Sequence, residues 1–167
     1  MVPVIFLVVL AGLAGQWAYA YNWGTKEFNY RGGIGSYIHD QAKSGDTLFL
    51  EPAGYIPYFS GLKTYDEVGL VSPLIVHYRE VYRNRWWIEF VQDAKPNWIV
   101  QRGHFRGFVT YQGYRLDDSE RKWFLKNYEL VKEFHYNGED YATNPMLLKL
   151  LALGEADDYL VYRRIAE

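Results

Sequence analysis

Residues 1–25 carry no charged side chain and most of them are apolar; the first charge in the chain is Lys26. A helix over residues 2–23 would rise about 33 Å, which is enough to cross the hydrocarbon core of a bilayer. Near its end stand four aromatic rings that suit an interfacial belt: Trp17, Tyr19, Tyr21 and Trp23. The pattern predicts a transmembrane helix over residues 1–24, followed by a separate domain over residues 25–167.

Two other interpretations fit the same segment. It could be a cleaved secretory signal, because Ala18-Tyr19-Ala20 has the small-x-small pattern, although no Lys or Arg precedes the apolar run. It could also be a buried core helix, but about six turns without a polar stripe argue against one in so small a domain. A span and a signal both place the rest of the chain outside the cytoplasm. The basic residues Lys26, Arg31 and Lys43 point the other way, since the positive-inside rule would keep that flank cytoplasmic.

After residue 25, segments with helical spacing of apolar positions alternate with short apolar runs. The helical spacing predicts helices at residues 26–43, 53–60, 73–94 and 117–127, the third of them broken. The short or alternating runs predict strands at residues 47–50, 63–66, 98–101, 129–136 and 159–164. This order predicts an α/β fold: a small, mostly parallel sheet with a C-terminal antiparallel pair, flanked by helices and preceded by one transmembrane helix.

Two local signals add detail. Asp117 followed by Glu120 predicts a capping box at the start of the last of these helices. Asn144, Pro145 and Gly154 predict the two ends of a further short helix at residues 145–153, whose side chains are almost all apolar. That helix could lie in the domain core or touch the membrane.

Composition narrows the possible chemistry. With 18 basic and 20 acidic residues and a net charge of −2, the chain lacks the basic excess of a nucleic-acid binder. It has no cysteine, which excludes disulfides, cysteine-ligated zinc and thiol catalysis. Aromatic residues make up 19% of the chain, which suits membrane interfaces and sugar-facing surfaces as well as an ordinary core.

Polar residues follow the predicted parallel strands at their carboxyl ends, where open α/β sheets bind ligands. They are Glu51 after the first strand, Asp66 and Glu67 after the second, and Arg102 and His104 after the third. Two carboxylates on neighbouring strand ends could perform glycosidase-type acid/base chemistry. They could equally cap turns and pair with Arg102, and we expect Glu51 and Asp66 to be structural or to gate a substrate.

Other motifs point to no site. Gly33-x-Gly35 follows no strand and lacks a third glycine, so it is not a dinucleotide-binding fingerprint. The four histidines are scattered without metal-ligand spacing, and no serine has the context of a nucleophile elbow. We therefore expect no metal site and no self-contained active site.

The most specific pattern lies between Gly45 and Pro73. It reads Gly45-Asp46, a strand, Glu51-Pro52-x-Gly54-Tyr55-x-x-Tyr58-x-Ser60-Gly61, Asp66, and Gly69-Leu70-x-Ser72-Pro73. This pattern resembles the C-terminal extracytoplasmic domain of bacterial GT-C-type membrane glycosyltransferases, enzymes related to protein mannosyltransferases and the aminoarabinose transferase. Two later runs also look like the family pattern: Lys95-Pro96-x-Trp98-Ile99-Val100 and Tyr159-x-Val161-Tyr162.

The resemblance implies that residues 1–24 are the last span of a larger enzyme in the bacterial inner membrane, with residues 25–167 on the extracytoplasmic side. Such enzymes move a sugar from a polyprenyl-phosphate donor to a glycan or lipid acceptor. Their catalytic acidic residue lies in the first extracytoplasmic loop, so we expect no catalytic residue here. A divalent metal would belong to the full-length enzyme, with no cofactor on this chain. The candidate substrate-binding or gating residues are Glu51, Tyr55, Asp66, Arg102 and His104.

Two other functions remain open. The chain could be a free-standing exported or membrane-anchored glycan-binding module that uses the aromatic loop 105–114. It could also be a small glycosidase that uses Glu51 and Asp66. We also expect Tyr55, Tyr58 and Trp98 to be mainly buried, where they would hold the short helix after the first strand against the sheet.

Overall fold

A computed structural model describes residues 2–51, 53–136 and 157–165. These residues form two compact units. One contains residues 2–31 together with residue 136, and the other contains residues 32–51, 53–135 and 157–165. The predicted helix at 145–153 lies outside the described residues.

The first unit consists mainly of the helix α1 (Val2–Lys26). Its described apolar side chains are exposed, and two pairs of rings stack along its second half, Trp17 on Tyr21 at 5.5 Å and Tyr19 on Trp23 at 6.0 Å. Within the described residues, the helical stretch that begins with α1 is the one long and apolar enough to cross a membrane. By length and composition, this helix is suited to be a membrane anchor or a signal sequence.

The predicted helix at 26–43 is two elements. A π-helical turn (Glu27–Arg31) follows α1, and the helix α2 (Gly32–Gln41) begins at the next residue. An ion pair of 2.7 Å between Glu27 and Arg31 spans the π-turn. A π-turn widens the helix by one residue per turn, which shifts the positions that share a face and explains the loose apolar stripe in the sequence.

The second unit is built on a five-stranded sheet with the order β2-β1-β3-β5-β4. The strands are β1 (Thr47–Leu50), β2 (Lys63–Asp66), β3 (Trp98–Arg102), β4 (Tyr128–Phe134) and β5 (Tyr159–Arg164). The first three strands are parallel, whereas β5 runs antiparallel to both of its neighbours. The predicted α/β architecture, including the C-terminal antiparallel pair, is confirmed.

Helices connect the parallel strands. They are α3 (Tyr55–Ser60) between β1 and β2, and α4 (Pro73–Tyr82) and α5 (Trp86–Ala94) between β2 and β3. A 3₁₀ turn (Arg83–Arg85) separates α4 from α5, as the predicted break requires. Because β1→β2 and β2→β3 step in opposite directions across the sheet, right-handed crossovers place α3 and the α4–α5 pair on opposite faces.

Each face of the sheet is covered by its own helices. Phe49 and Ile99 point to one face and pack with buried rings from α5, among them Trp87 and Phe90. Leu48, Leu50 and Val100 alternate with them and are buried on the other face. There α2 packs closely on α3: a Cβ at Gly35 would lie only 2.6 Å from the Ile56 carbonyl oxygen.

After a second 3₁₀ turn (Gly103–Gly107), the helix α6 (Asp118–Asn127) leads into β4. Asp117 accepts hydrogen bonds from the backbone of Ser119 and Glu120, and the Glu120 carboxylate accepts one from the backbone of Asp117. The predicted capping box is confirmed.

The burial predicted for three aromatic residues is right for only one. Trp98 is buried and donates its indole N–H to Asp46 at 2.9 Å. Tyr55 and Tyr58, however, are 38% and 80% exposed. The reason is the geometry of α3, which has six residues and buries only the face that carries Ile56 and Ser60.

Candidate functional site

The site lies at the carboxyl ends of β1 and β3. Between these two strands the chain reverses the direction in which it fills the sheet, so they form a topological switch point: the crossover from β1 leads to β2 on one side, and the crossover from β2 leads to β3 on the other. The helices of the two crossovers diverge there and leave a crevice. Glu51 directly follows β1, and Arg102 is the last residue of β3. The guanidinium of Arg102 donates from Nε to Glu51 Oε2 at 2.6 Å, so an ion pair stands across the switch point.

Two further groups extend this ion pair. Arg102 also donates to the carboxylate of Asp157, which precedes β5, and its guanidinium lies 5.2 Å from the ring centre of Tyr111. The Glu51 side chain is 8% exposed and that of Arg102 is 22% exposed. Burial by itself would lower the pKa of Arg102, but the hydrogen bond that Arg102 donates to Glu51 and neighbouring negative charges raise it above its ordinary value. The cation is therefore permanent and holds two carboxylates at one point.

Glu67 is a buried carboxyl on the next strand of the same edge, and its backbone N–H donates to Leu50 O at 2.9 Å. Its Oε1 accepts a hydrogen bond from the indole N–H of Trp87 at 3.1 Å and another from the amide of Gln101. Its Oε2 is buried and has no hydrogen-bond partner among the described residues. Burial raises the pKa of Glu67, the two hydrogen bonds lower it, and the charges of Glu51 and Asp66 raise it; the net result is a pKa of about 7.

Asp66 pairs with Leu50 in the β1–β2 register, so Glu51 and Asp66 lie at adjacent strand ends as predicted. Its carboxylate is fully buried and faces its own loop. Oδ1 accepts from the backbone N–H of Val68, and Oδ2 accepts from those of Leu70 and Val71. With both oxygens engaged by the backbone, Asp66 is not free to act with Glu51 as an acid/base pair.

His104 and Tyr55 complete the set of residues predicted from sequence. His104 is exposed in the turn after β3, and its pKa is lowered by partial burial and by the charge of Arg102, against the opposing effect of Asp157. His104, two residues after Arg102, is close enough to the Glu51–Arg102 pair to feel its charges. Tyr55 lies on α3, where its ring stacks on Phe59 at 6.3 Å.

Four residues of this edge are not among the site residues predicted from the sequence: Glu67, Gln101, Tyr111 and Asp157. Glu67 was visible as a strand-end carboxylate, but nothing in the sequence distinguished it from Asp66. Gln101 could have been identified, because a polar residue that continues the apolar run Trp98–Val100 falls at a position that faces the core and needs a polar partner there. Asp157 is separated from Arg102 by 55 residues, and its contribution follows only from the position of β5.

The arrangement combines a fixed cation, a proton-holding carboxyl and exposed rings. No group of three or more His, Asp or Glu side chains that could hold a metal ion occurs in the described part of the chain. Chemically, the edge offers donors and acceptors for a hydroxyl-rich ligand, and Glu67 can carry its proton near neutral pH.

The chain was also compared with known proteins. No curated protein and no solved structure matches it significantly. The model of one family, described as "Domain of unknown function (DUF8728)", matches residues 16–162. This match begins within α1 and ends in β5, so that it covers most of the chain, and the protein belongs to the DUF8728 family.

Proposed function

We propose that this chain is the C-terminal portion of an integral-membrane glycosyltransferase of the GT-C type. In this proposal α1 is a membrane span and the sheet-containing unit lies on the extracytoplasmic side. The full enzyme moves a sugar from a polyprenyl-phosphate donor to a glycan or lipid acceptor. The portion described here binds or gates substrate and does not perform the transfer.

The observation that carries the proposal is the arrangement of the residues between Glu51 and Pro73, whose pattern resembles that of GT-C-type glycosyltransferases. Its residues build one edge of the sheet: Glu51 forms the switch-point ion pair, and Asp66 and Ser72 fix the loop after β2. The Ser72 hydroxyl accepts from the Asp66 backbone N–H at 3.0 Å, and Gly69 adopts φ +87°, which the turn requires. The pattern thus fixes the loop after β2 and places Glu51 at the switch point, where open α/β sheets bind ligands, and this supports the proposal.

The properties of α1 support the membrane part of the proposal. Its apolar side chains are exposed along the described length of the helix, where a soluble protein would bury them. The stacked ring pairs at residues 17–23 match the position of an interfacial belt at one end of a span.

Topology can be tested by cysteine labelling, because the chain has no cysteine of its own. Leu10→Cys places a thiol within α1, and Lys122→Cys places one on the exposed surface of α6. In intact bacterial cells, a membrane-impermeant maleimide should label Lys122→Cys and leave Leu10→Cys unlabelled. Labelling of Lys122→Cys only after lysis would place the sheet-containing unit in the cytoplasm and overturn the proposed location.

Activity requires a second experiment. The product of the reading frame extended upstream of Met1 should contain further apolar spans and transfer radiolabelled sugar from a panel of polyprenyl-phosphate carriers. The protein comprising residues 1–167 should transfer none. In the extended protein, Glu51→Gln should raise KM more than it lowers kcat, as expected for binding or gating. Sugar transfer or hydrolysis by residues 1–167 alone, abolished by Glu51→Gln, would instead establish a self-contained enzyme.

A second candidate, the glycan-binding module, is favoured by one specific observation. Tyr58 and Tyr111 are 80% and 47% exposed, and exposed tyrosine rings can stack on sugar faces. A glycan array probed with the full chain in detergent distinguishes the two. Binding that Tyr111→Ala removes would favour the module, and no binding in the absence of a polyprenyl-phosphate sugar would favour the transferase.

A further inference from the structure

A polar cavity of about 270 Å³ lies beside the break between α4 and α5. One wall is the 3₁₀ turn with Arg83 and Asn84, and the other is a short hairpin that contains Gln112 and Arg115. The two walls are joined by a hydrogen bond of 3.0 Å from the indole N–H of Trp86 to the Gln112 side-chain oxygen.

The hairpin wall has a fixed shape. Val109 and Arg115 form an isolated antiparallel bridge, and Thr110 N donates to Tyr114 O at 2.8 Å. Gly113 closes the turn at φ +83° and donates its N–H to Thr110 O at 2.8 Å. Arg115 therefore projects from an ordered element, and a ligand would not have to order it first.

The charges around the cavity are unbalanced. Neither Arg83 nor Arg115 has a carboxylate within ion-pair distance among the described residues, and no acidic residue lines the cavity. Arg85, in the same 3₁₀ turn as Arg83, does not line the cavity and pairs with Glu89 at 3.3 Å and with Glu120 at 3.0 Å. The two free guanidinium groups leave a local excess of positive charge.

Arg83 also has a backbone conformation that glycine adopts much more easily. Its φ of 52° and ψ of −122° lie outside the regions favoured by residues with a Cβ. Strain of this kind persists where the surrounding structure and a use for the side chain maintain it. Glycine would relieve the strain but would remove the guanidinium from the cavity.

We infer that this cavity binds a phosphate group, presented either by a soluble phosphorylated molecule or by a lipid headgroup. Arg83 and Arg115 supply two guanidinium forks, which match phosphate oxygens in a bidentate manner. The Gln112 oxygen is occupied by Trp86, which leaves its amide N–H₂ as a further donor together with Asn84. The inference is independent of the proposed function, because it uses neither α1 nor the side chains of Glu51, Glu67 and Arg102.

The test measures the melting temperature and phosphate affinity of the full chain in detergent micelles. Inorganic phosphate, compared with chloride at equal ionic strength, should raise the melting temperature of the wild type. Arg83→Gly and Arg115→Gln should each weaken phosphate binding by about tenfold or more, which corresponds to about 1.4 kcal/mol. Lys126→Gln, which removes an exposed charge from α6, should leave the affinity unchanged and serves as the matched control. Arg83→Gly should in addition melt at a higher temperature without phosphate, because its backbone strain is released.

A second arm identifies the source of the phosphate. The same variants in nanodiscs of phosphatidylcholine, with or without phosphatidic acid, report on a lipid headgroup. If inorganic phosphate but not phosphatidic acid raises the melting temperature of the wild type more than that of the two arginine variants, the site binds soluble ligands. If phosphatidic acid does so, the site binds a lipid headgroup. Equal responses of the wild type, Arg83→Gly and Arg115→Gln to both probes would overturn the inference.

Discussion

Asp66 and Glu67 are consecutive carboxylates that are equally buried, yet the protein surrounds them in different ways. Asp66 turns into its loop and accepts three backbone N–H groups. Glu67 turns towards the sheet and the α5 helix, where one oxygen receives two side-chain donors and the other receives none from the described residues. Burial by itself thus does not determine what a carboxylate does; the number and kind of its donors do.

This difference separates a carboxylate that forms its loop from one that is placed to titrate. The loop between Asp66 and Ser72 is organised by its acid, in the way that a helix is organised by its cap. Glu67 keeps one buried oxygen without a hydrogen-bond partner among the described residues. Four substitutions test the comparison, from the largest expected effect to the smallest.

Replacing Asp66 should be the most damaging change. Asp66→Ala leaves three backbone N–H groups of the loop without their acceptor, and we expect the free energy of unfolding to fall by about 4 kcal/mol. Chemical denaturation measures this loss. Asp118→Ala, which removes a carboxylate that is 89% exposed, is the control and should change stability by less than about 0.5 kcal/mol. Similar losses for Asp66→Ala and Asp118→Ala would show that the hydrogen bonds of Asp66 do not hold the loop together.

Glu67 should instead change how the free energy of unfolding depends on pH. The unfolded carboxyl ionises near 4.5, whereas the folded one keeps its proton to about 7, so the unfolded state loses its proton first as the pH rises. The free energy of unfolding should therefore fall between pH 4.5 and pH 7, by about 3 kcal/mol, and stay level with respect to this group above pH 7.

Glu67→Gln removes that titration. The stability difference between the variant and the wild type should shift in favour of the variant across this pH range and remain constant at higher pH. Denaturation curves at several pH values measure the difference. Parallel pH profiles for the two proteins would mean that Glu67 carries no unusual proton.

The Glu51–Arg102 pair should contribute an intermediate amount. Arg102→Met leaves the Glu51 carboxylate nearly buried without its partner, and we expect a loss of about 2 kcal/mol, since partial exposure reduces the cost of a fully buried charge. Adding Glu51→Gln should recover part of the loss. The same double-mutant cycle on Arg163 and Glu129, whose side chains are 46% and 48% exposed, should give a coupling below about 0.5 kcal/mol. Equal couplings in the two cycles would show that the switch-point pair is an ordinary surface pair.

Tyr58 should matter least to stability. Because its ring is 80% exposed, Tyr58→Ala should change the free energy of unfolding by less than about 0.5 kcal/mol. Ile56→Ala, two residues away on the buried face of the same helix, should cost about 3 kcal/mol. A large loss for Tyr58→Ala would show that the ring is covered in the folded protein.

The strands and the antiparallel pairing of the last two follow from the sequence because each strand carries its own signal, whereas their order across the sheet does not. β1 and β5 contain apolar runs, and β4 partly alternates, so the type of each element could be predicted. The orientation of α3 could not, because six residues are too few for a helical period to show which face is buried. The same limit led to the wrong placement of Tyr55 and Tyr58.

The site was only partly predictable for a related reason. The carboxyl ends of strands identify Glu51, Asp66 and Arg102, since the topology alone brings them to one edge. Whether a carboxylate faces its own loop or the sheet depends on side-chain direction, which strand periodicity assigns only once the register is known. Gly35 illustrates another gap: the sequence reads it as a weak point in a helix, whereas the structure needs it for the close approach of α2 to α3.

The position of β5 in the sheet affects the order in which the protein can assemble. β5 lies between β3 and β4 and supplies the hydrogen-bonding partner of both, although it comes last in sequence among the five strands of the described sheet. Until residues 159–164 have been synthesised, β3 and β4 each present an open edge, and the β2-β1-β3 part of the sheet stands without its antiparallel half. During translation those open edges are the surfaces on which a nascent chain would pair with a neighbour, and this exposure ends when β5 takes its place between them.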